Sequence, residues 1–368
     1  MTALPAHDAR RDPEALFAAA VAGERLALAR LVSFVEAGGE PARRIGRLAA
    51  GRARDAYSIG ITGAPGAGKS TLTDRLVVRA KAAVGEGSGT AEAQAASVGV
   101  LAIDPTSPFT GGAILGDRVR MQAHALDSAV FIRSMATRGH LGGLSLAVPE
   151  ALRLLSAVGC ATVLVETVGV GQVEVEVAGA ADTTVVVLTP GWGDAVQASK
   201  AGLMEVADVF VINKADRPGA REARRDVEAM LALSETGGWI PPVVEAIATD
   251  DTGIDAVWAA VCDHRAHQSA DGGLTRKRRE RLVRELRQIM ARRMEERVDE
   301  LLAGTSGHHL WEELVEGSID PYTAADRLVA AITGDVVDGD VDGDVAGGGT
   351  GAQGAPPAAS SAVPAPGR

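Results

Sequence analysis

The 368-residue chain is 46% hydrophobic and 23% charged, proportions that belong to a globular protein and exclude a wholly disordered one. Its formal net charge is −11, but five aspartates and one arginine follow Gly334, so four of those eleven net charges lie in one terminal stretch. The remainder is mildly acidic, where a general nucleic-acid binder would be basic, and no apolar run approaches the roughly 20 residues of a membrane span.

Cys160 and Cys262 lie far apart and offer no disulfide framework. The opening "MTALPAHDARRDPEALF" lacks an apolar signal-peptide core and is too acidic for a transit peptide. A reducing, cytoplasmic setting is expected.

From Pro13 to about Ala50, apolar residues recur at helical intervals through Leu16, Phe17, Val21, Leu28, Leu31, Val32 and Val35. Residues 1–54 are therefore expected to form an N-terminal helical extension. From Tyr57 onward short apolar runs alternate with helical stretches. "YSIGIT", "SVGVLAID", "AVFIRSM", "ATVLVE", "TTVVVLT", "VFVINK" and "PVVEAIA" are candidate strands, apolar enough to be covered on both faces. This predicts an α/β domain with a mostly parallel sheet over 55–270. The stretch from Val84 to Ser97, "VGEGSGTAEAQAAS", reads as a flexible insertion before the second strand.

After Asp271 one long helix follows, with a narrow seam of Val283, Leu286, Met290, Met294, Val298 and Leu301 among arginine and glutamate. Such a seam suits a helix lying on its own domain or helix pairing between subunits; the reading adopted for 271–333 is a dimerisation segment. Residues 334–368 have almost nothing to bury and are expected to be disordered. Asp338, Asp340, Asp342 and Gly343 match half of a calcium loop, but its closing position is Gly349, so the tail is read as solvated.

The chemistry concentrates in "GITGAPGAGKST". Gly63, four residues, then Gly68, Lys69 and Ser70 satisfy the Walker A spacing, with a strand before and a helix after. Gly63, Gly66 and Gly68 let backbone N–H groups turn around phosphate oxygens, and the helix that follows presents its positive end. Lys69 suits the β- and γ-phosphates and Ser70 a Mg²⁺ ion. A dinucleotide turn would not call for Lys-Ser at its end.

"VFVINKAD" supplies the base reader. The Asp216 carboxylate can accept from both N1–H and the N2 amine of guanine, while adenine would leave it unpaired. Asn213 can bond the other ring edge and nearby loops, and the Lys214 stem can cover the base. "EAIATDDTGID" is the next base-side loop, with a backbone N–H near Ala246 available to the guanine oxygen.

In "TVLVETVGVGQVEVEV" the strand-end Glu166 is positioned to hold a Mg²⁺-bound water, and the Gly169 N–H to touch the γ-phosphate. Asp104 ends the second strand and offers another carboxylate for metal or water. Val170 stands where many small GTPases have a water-orienting glutamine, with Gln172 two residues on, so slow intrinsic hydrolysis is expected. Arg118, Arg120, Arg133, Arg138 and His140 lie between the motifs, as transition-state cations or as loop ties.

Read together, "GAPGAGKST", "LAIDPTSP", "GGAILGDRVRM", "FIRSMATRGHLGGLS", "ETVGVGQVEVEVA", "PGWGDAVQASKAGLMEVAD" and "NKAD" resemble the MeaB/ArgK family of methylmalonyl-CoA mutase-associated GTPases, from about Ile45 to Asp255. The resemblance implies a phosphate-loop GTPase domain flanked by N-terminal helices and a C-terminal dimerising extension. It implies a GTP-hydrolysing chaperone that gates adenosylcobalamin loading from an adenosyltransferase and protects or reactivates an acyl-CoA mutase. It also assigns nucleotide roles to Gly63, Ala64, Pro65, Gly66, Ala67, Gly68, Lys69, Ser70, Thr71, Asn213, Lys214 and Asp216. Ser70, Asp104, Asp117 and Glu166 would be the Mg²⁺ set. Gln197 and Lys200, in "GDAVQASK", would sense partner and nucleotide. Rival readings are a kinase of a transport protein, a nickel- or zinc-insertion GTPase, and an adaptor whose nucleotide is structural. The insertase reading wants clustered thiolates or imidazoles, and the seven histidines are scattered.

Overall fold

The computed structural model describes residues 12–52, 56–87, 97–104, 124, 126–136, 143–167, 179–191, 205–233 and 238–333. The chain divides into two compact units, Met1–Ala291 and Arg292–Arg368.

The larger unit opens with α1 (Pro13–Val21), α2 (Arg25–Ala37) and α3 (Gly39–Ala50). Asp12 caps α1 by accepting from the Ala15 N–H at 3.1 Å, and Pro13 occupies the first turn, where its missing donor costs nothing. The sheet follows as β1 (Tyr57–Gly63), β2 (Val98–Asp104), β3 (Val130–Ala136), β4 (Thr162–Thr167), β5 (Thr183–Leu188), β6 (Val209–Asn213) and β7 (Val243–Ala246). Between them run α4 (Lys69–Gly87), α5 (Gly143–Ala157) and α6 (Ala220–Leu233), with α7 (Ile254–Ala270) after β7. All seven expected strands form. They pair in parallel in the order β3-β2-β4-β1-β5-β6-β7. Helix α4 runs four residues into the glycine-rich stretch expected to be an insertion, ending at Gly87.

Alternate residues along each strand feed opposite faces, as a two-residue period requires. Ile59, Ile61, Val100, Leu164, Val185, Val187, Val209 and Val211 pack with Leu72 and Leu76 of α4 and Ile254 and Val257 of α7. On the other face Leu101, Ile103, Val163 and Val165 meet α5 together with Leu28, Leu31, Val32 and Ile45 of the N-terminal helices. Val186, Leu188, Phe210 and Ile212 meet α6. The N-terminal helices thus share the sheet's own core.

Helix α8 (Gly273–Leu302) follows. Its first turns are tied to the N-terminal ends of the strands. The buried Asp182 carboxylate accepts from Arg278 Nε at 3.1 Å and Nη2 at 2.8 Å, from Arg281, and from the Ser58 N–H at 3.0 Å. Burial alone would raise its pKa, but these cations and donors outweigh it and hold the group below the ordinary carboxylate value. Lys277 bridges the Asp182 carbonyl (2.9 Å) and Asp208 (3.1 Å), and Glu285 pairs with Arg153 of α5. In the smaller unit, α9 (Thr305–Glu316) and α10 (Pro321–Thr333) are joined by Arg327 to Glu313 at 2.6 Å, and Asp320 caps α10.

Candidate functional site

The C-terminal ends of β1, β4, β6 and β7 converge on one edge of the sheet, where open parallel sheets bind ligands. The loop from Gly63 to Gly68 leaves β1 there and runs into α4. Its three glycines have φ of 145°, 75° and 88°, in the region that favours glycine. Two are also demanded by close approach. A Cβ on Gly63 would lie 2.1 Å from the Val187 carbonyl oxygen of β5, and one on Gly68 would lie 2.4 Å from Asn213 Nδ2. Ala67 closes the turn by donating to Ala64 O at 3.1 Å, and Ala67 is buried while Pro65 and Gly66 are exposed. Thr71 lies in the first turn of α4.

Lys69 is buried, and its Nζ donates to Gly63 O (2.8 Å) and Ala64 O (3.0 Å), so its charge lies over the loop's own backbone. Ser70 Oγ donates to Glu166 Oε1 at 2.5 Å. That contact follows from the ladder, since Glu166 pairs with Ile61 of β1, two residues before the loop begins. Thr167 adds a second tie to Thr62, Oγ1 to Oγ1, at 3.0 Å. Ser70 and Glu166 thus form a buried, oxygen-only pair at the helix start, a donor set that suits a hard cation such as Mg²⁺.

The strand-end Asn213 joins three segments. Its Nδ2 donates to Ala67 O of the phosphate loop at 2.8 Å, and its Oδ1 accepts from the Ala248 N–H at 3.1 Å. Lys214 has φ 59° and reaches back to Gly66 O at 2.7 Å. Ala246 pairs with Asn213 in the ladder, and its carbonyl accepts from the Ala215 N–H at 3.1 Å. The turn from Lys214 to Arg217 leaves Asp216 exposed, with no partner among the described residues.

Sequence reasoning placed Gly63–Thr71, Glu166, Asn213, Lys214, Asp216 and Ala246, and the fold brings them to one edge. Asn213, expected to bond nearby loops, does so on both sides, to Ala67 and to Ala248; sequence reasoning did not find that Arg75 and Arg79 of α4 grip the second of these loops. Asp104 ends β2 on the same edge, opposite Ala136 of β3, but its side chain lies outside the described residues. So do Asp117, Arg118, Arg120, Arg138, His140, Gly169, Val170, Gln172, Gln197, Lys200, the 88–96 stretch and the tail from residue 334. Arg133 is described; its Nη2 donates to Ser33 of α2 at 2.7 Å, a tie between strand and helix. Among the described residues no cluster of three histidine, cysteine or acidic side chains could hold a metal by itself.

The model of the methylmalonyl-CoA mutase-associated GTPase family MeaB matches residues 28–302. The chain belongs to this family. A putative GTPase of Pyrococcus abyssi is 46% identical over 316 residues, covering 85% of this chain and 94% of the relative. The mitochondrial methylmalonic aciduria type A homolog of Caenorhabditis elegans is 29% identical and covers 87% of this chain and 82% of the relative. Among solved structures, one described as an LAO/AO transport system kinase superposes with a TM-score of 0.60 at 26% identity, over 90% of this chain and all of that one. This MeaB family member is therefore a phosphate-loop GTPase with helices added at both ends of a parallel sheet. Among the described residues no helix is long and apolar enough to cross a membrane.

Proposed function

We propose that the protein is a GTP-hydrolysing chaperone that gates adenosylcobalamin loading and protects or reactivates an acyl-CoA mutase, with methylmalonyl-CoA mutase as the partner. The family match over residues 28–302, joined to a nucleotide site whose parts are mechanically linked, is the observation that supports it.

The phosphates of GTP would lie in the loop at Gly63–Gly68, with Lys69 swinging from the loop carbonyls onto them. Ser70 and Glu166 would hold Mg²⁺, which when bound spreads charge between phosphates, and Asp104 and Asp117 are the proposed remaining carboxylates. Asp216 would read the guanine N1–H and N2 amine, and main-chain N–H groups near Ala246 the guanine oxygen. Asn213 touches both loops, so occupation of one biases the other. With Val170 where a water-orienting glutamine is usual, hydrolysis would idle until a partner completes the site. Gln197 and Lys200 are proposed to sense that partner.

Leu282, Val283, Leu286, Met290 and Met294 of α8 are exposed on the single chain, which supports helix pairing in a homodimer. Sedimentation should give twice the chain mass, and Leu286→Glu should halve it.

The deciding experiment adds purified methylmalonyl-CoA mutase and a cobalamin adenosyltransferase to the protein. Phosphate release from GTP should rise at least about tenfold with mutase, and cofactor transfer should depend on GTP. No complex and no acceleration would refute the chaperone reading. Labelled phosphate appearing on a protein or small-molecule acceptor would favour a kinase.

A further inference from the structure

The stretch following β7 is held in an unusual way. Ile247 and Thr252 pair across a tight turn, with Ile247 N donating to Thr252 O at 2.9 Å and the reverse bond at 3.3 Å. The turn needs left-handed backbone at Asp251 (φ 62°) and Gly253 (φ 77°), and a Cβ on Gly253 would lie 2.3 Å from Glu245 O. A non-glycine residue at positive φ persists only where its surroundings hold it.

What holds it is α4. Arg79 forks onto Asp251, Nη1 to Oδ1 at 2.8 Å and Nη2 to Oδ2 at 2.6 Å, and its Nε donates to Asp255 at 2.9 Å. One turn earlier, Arg75 Nε donates to Ala248 O and Nη2 to Thr249 O, both at 3.2 Å. The two arginines are four residues apart, hence on one face of the helix. That helix begins with Lys69 and Ser70 of the phosphate loop. Its buried Leu72 and Leu76 belong to the same core as Ile254 and Val257 just beyond the turn. Asn213 supplies the third tie, through the Ala248 N–H at 3.1 Å.

We propose that Arg79 and Arg75 are positioning residues for guanine recognition: they lock the main chain of Ala246–Thr249 to the helix that starts at the phosphates. The amides that meet the guanine oxygen are then held at a fixed distance from the triphosphate. This rests on the guanine-site reading given above. Lysine could keep the charge at position 79 but not the paired geometry of the fork.

The test compares GDP with the 2-aminopurine riboside diphosphate, which keeps the N2 amine and lacks both the six-position oxygen and the N1 proton, by calorimetry on the full chain. The loss of the N1 proton falls on Asp216 alike in every variant, so the effect of each arginine reports the oxygen. In the native protein GDP should bind more tightly than the 2-aminopurine nucleotide. Arg79→Ala should weaken GDP about tenfold and leave the 2-aminopurine nucleotide unchanged. Arg79→Lys should fall between, Arg75→Ala should act in the same sense, and Arg79→Asp combined with Asp251→Arg should restore part of the loss. Equal weakening of both ligands, or unchanged GDP affinity in a variant with native thermal unfolding, overturns the proposal. If the native protein binds 2-aminopurine and guanine nucleotides alike, the guanine-oxygen reading fails, and the positioning role with it.

Discussion

Gly68 and Asn213 are in near-contact, so two motifs 145 residues apart in sequence occupy one space. A methyl group at position 68 cannot avoid the Asn213 amide, and φ 88° penalises any side chain as well. Gly68→Ala should therefore weaken GTP binding by about a hundredfold or more while lowering the unfolding temperature only modestly. Calorimetry paired with thermal unfolding measures both. Asp216 is different, because it is exposed and its replacement disturbs no contact among the described residues. Asp216→Asn should weaken GTP by orders of magnitude and leave xanthosine triphosphate bound, since an amide matches the xanthine edge; an unchanged GTP affinity would contradict the base assignment. Both motifs were legible because each is a local string of residue types that phosphate or guanine requires. The grip of Arg79 on Asp251 was not, since nothing in a surface-looking helical arginine announces a carboxylate 172 residues away.

At the scale of elements, the long helix α8 is fastened to the sheet by a buried polar chain. Tyr57 O–H lies 2.5 Å from Thr183 Oγ1, Thr183 Oγ1 lies 2.8 Å from His264 Nδ1, and His264 Nε2 lies 3.3 Å from Asp208, which Lys277 of α8 also engages. The chain is consistent when His264 is neutral: Tyr57 donates to Thr183, Thr183 donates to Nδ1, and Nε2–H faces Asp208. Burial, opposed by Asp208 and reinforced by Lys277, pulls the His264 pKa below its ordinary 6.5. The unfolded chain then binds this proton more readily than the folded one, so stability is complete above 6.5 and declines as the pH falls through it towards the folded value. Lowering the pH from about 7.5 to about 5.5 should reduce the unfolding temperature, and His264→Gln should flatten that dependence. Burial likewise pushes Tyr57 up to about 12, so its share is lost only in strong alkali. The strands were legible as apolar runs covered on both faces. Docking of α1–α3 on that sheet was not, because periodicity tells which residues of a helix are buried and not against what.

For the whole molecule, a ligand that binds only the folded state stabilises it by mass action, about 2.7 kcal/mol at a hundredfold excess over Kd. GTP should therefore raise the unfolding temperature and ATP at equal concentration should not; equal protection by both would undo the guanine reading from the outside. The family could be read from the motifs taken together, and the parallel architecture from strands apolar enough to be covered on both faces. The division at Ala291–Arg292 could not, since it falls inside one continuous helix whose sequence changes little there.

The fastening of α8 also governs how this chain can be shortened. A fragment stopped at Asp271 would retain every nucleotide motif and yet strand the Asp182 carboxylate under the sheet, stripped of Arg278 and Arg281. Removing one side of a buried ion pair costs about 3–5 kcal/mol, a large share of the roughly 5–15 kcal/mol that keeps a typical domain folded. The minimal catalytic piece therefore ends well into the helix, beyond Glu285 and its clasp on Arg153, and a shorter one should be recovered as inclusion bodies.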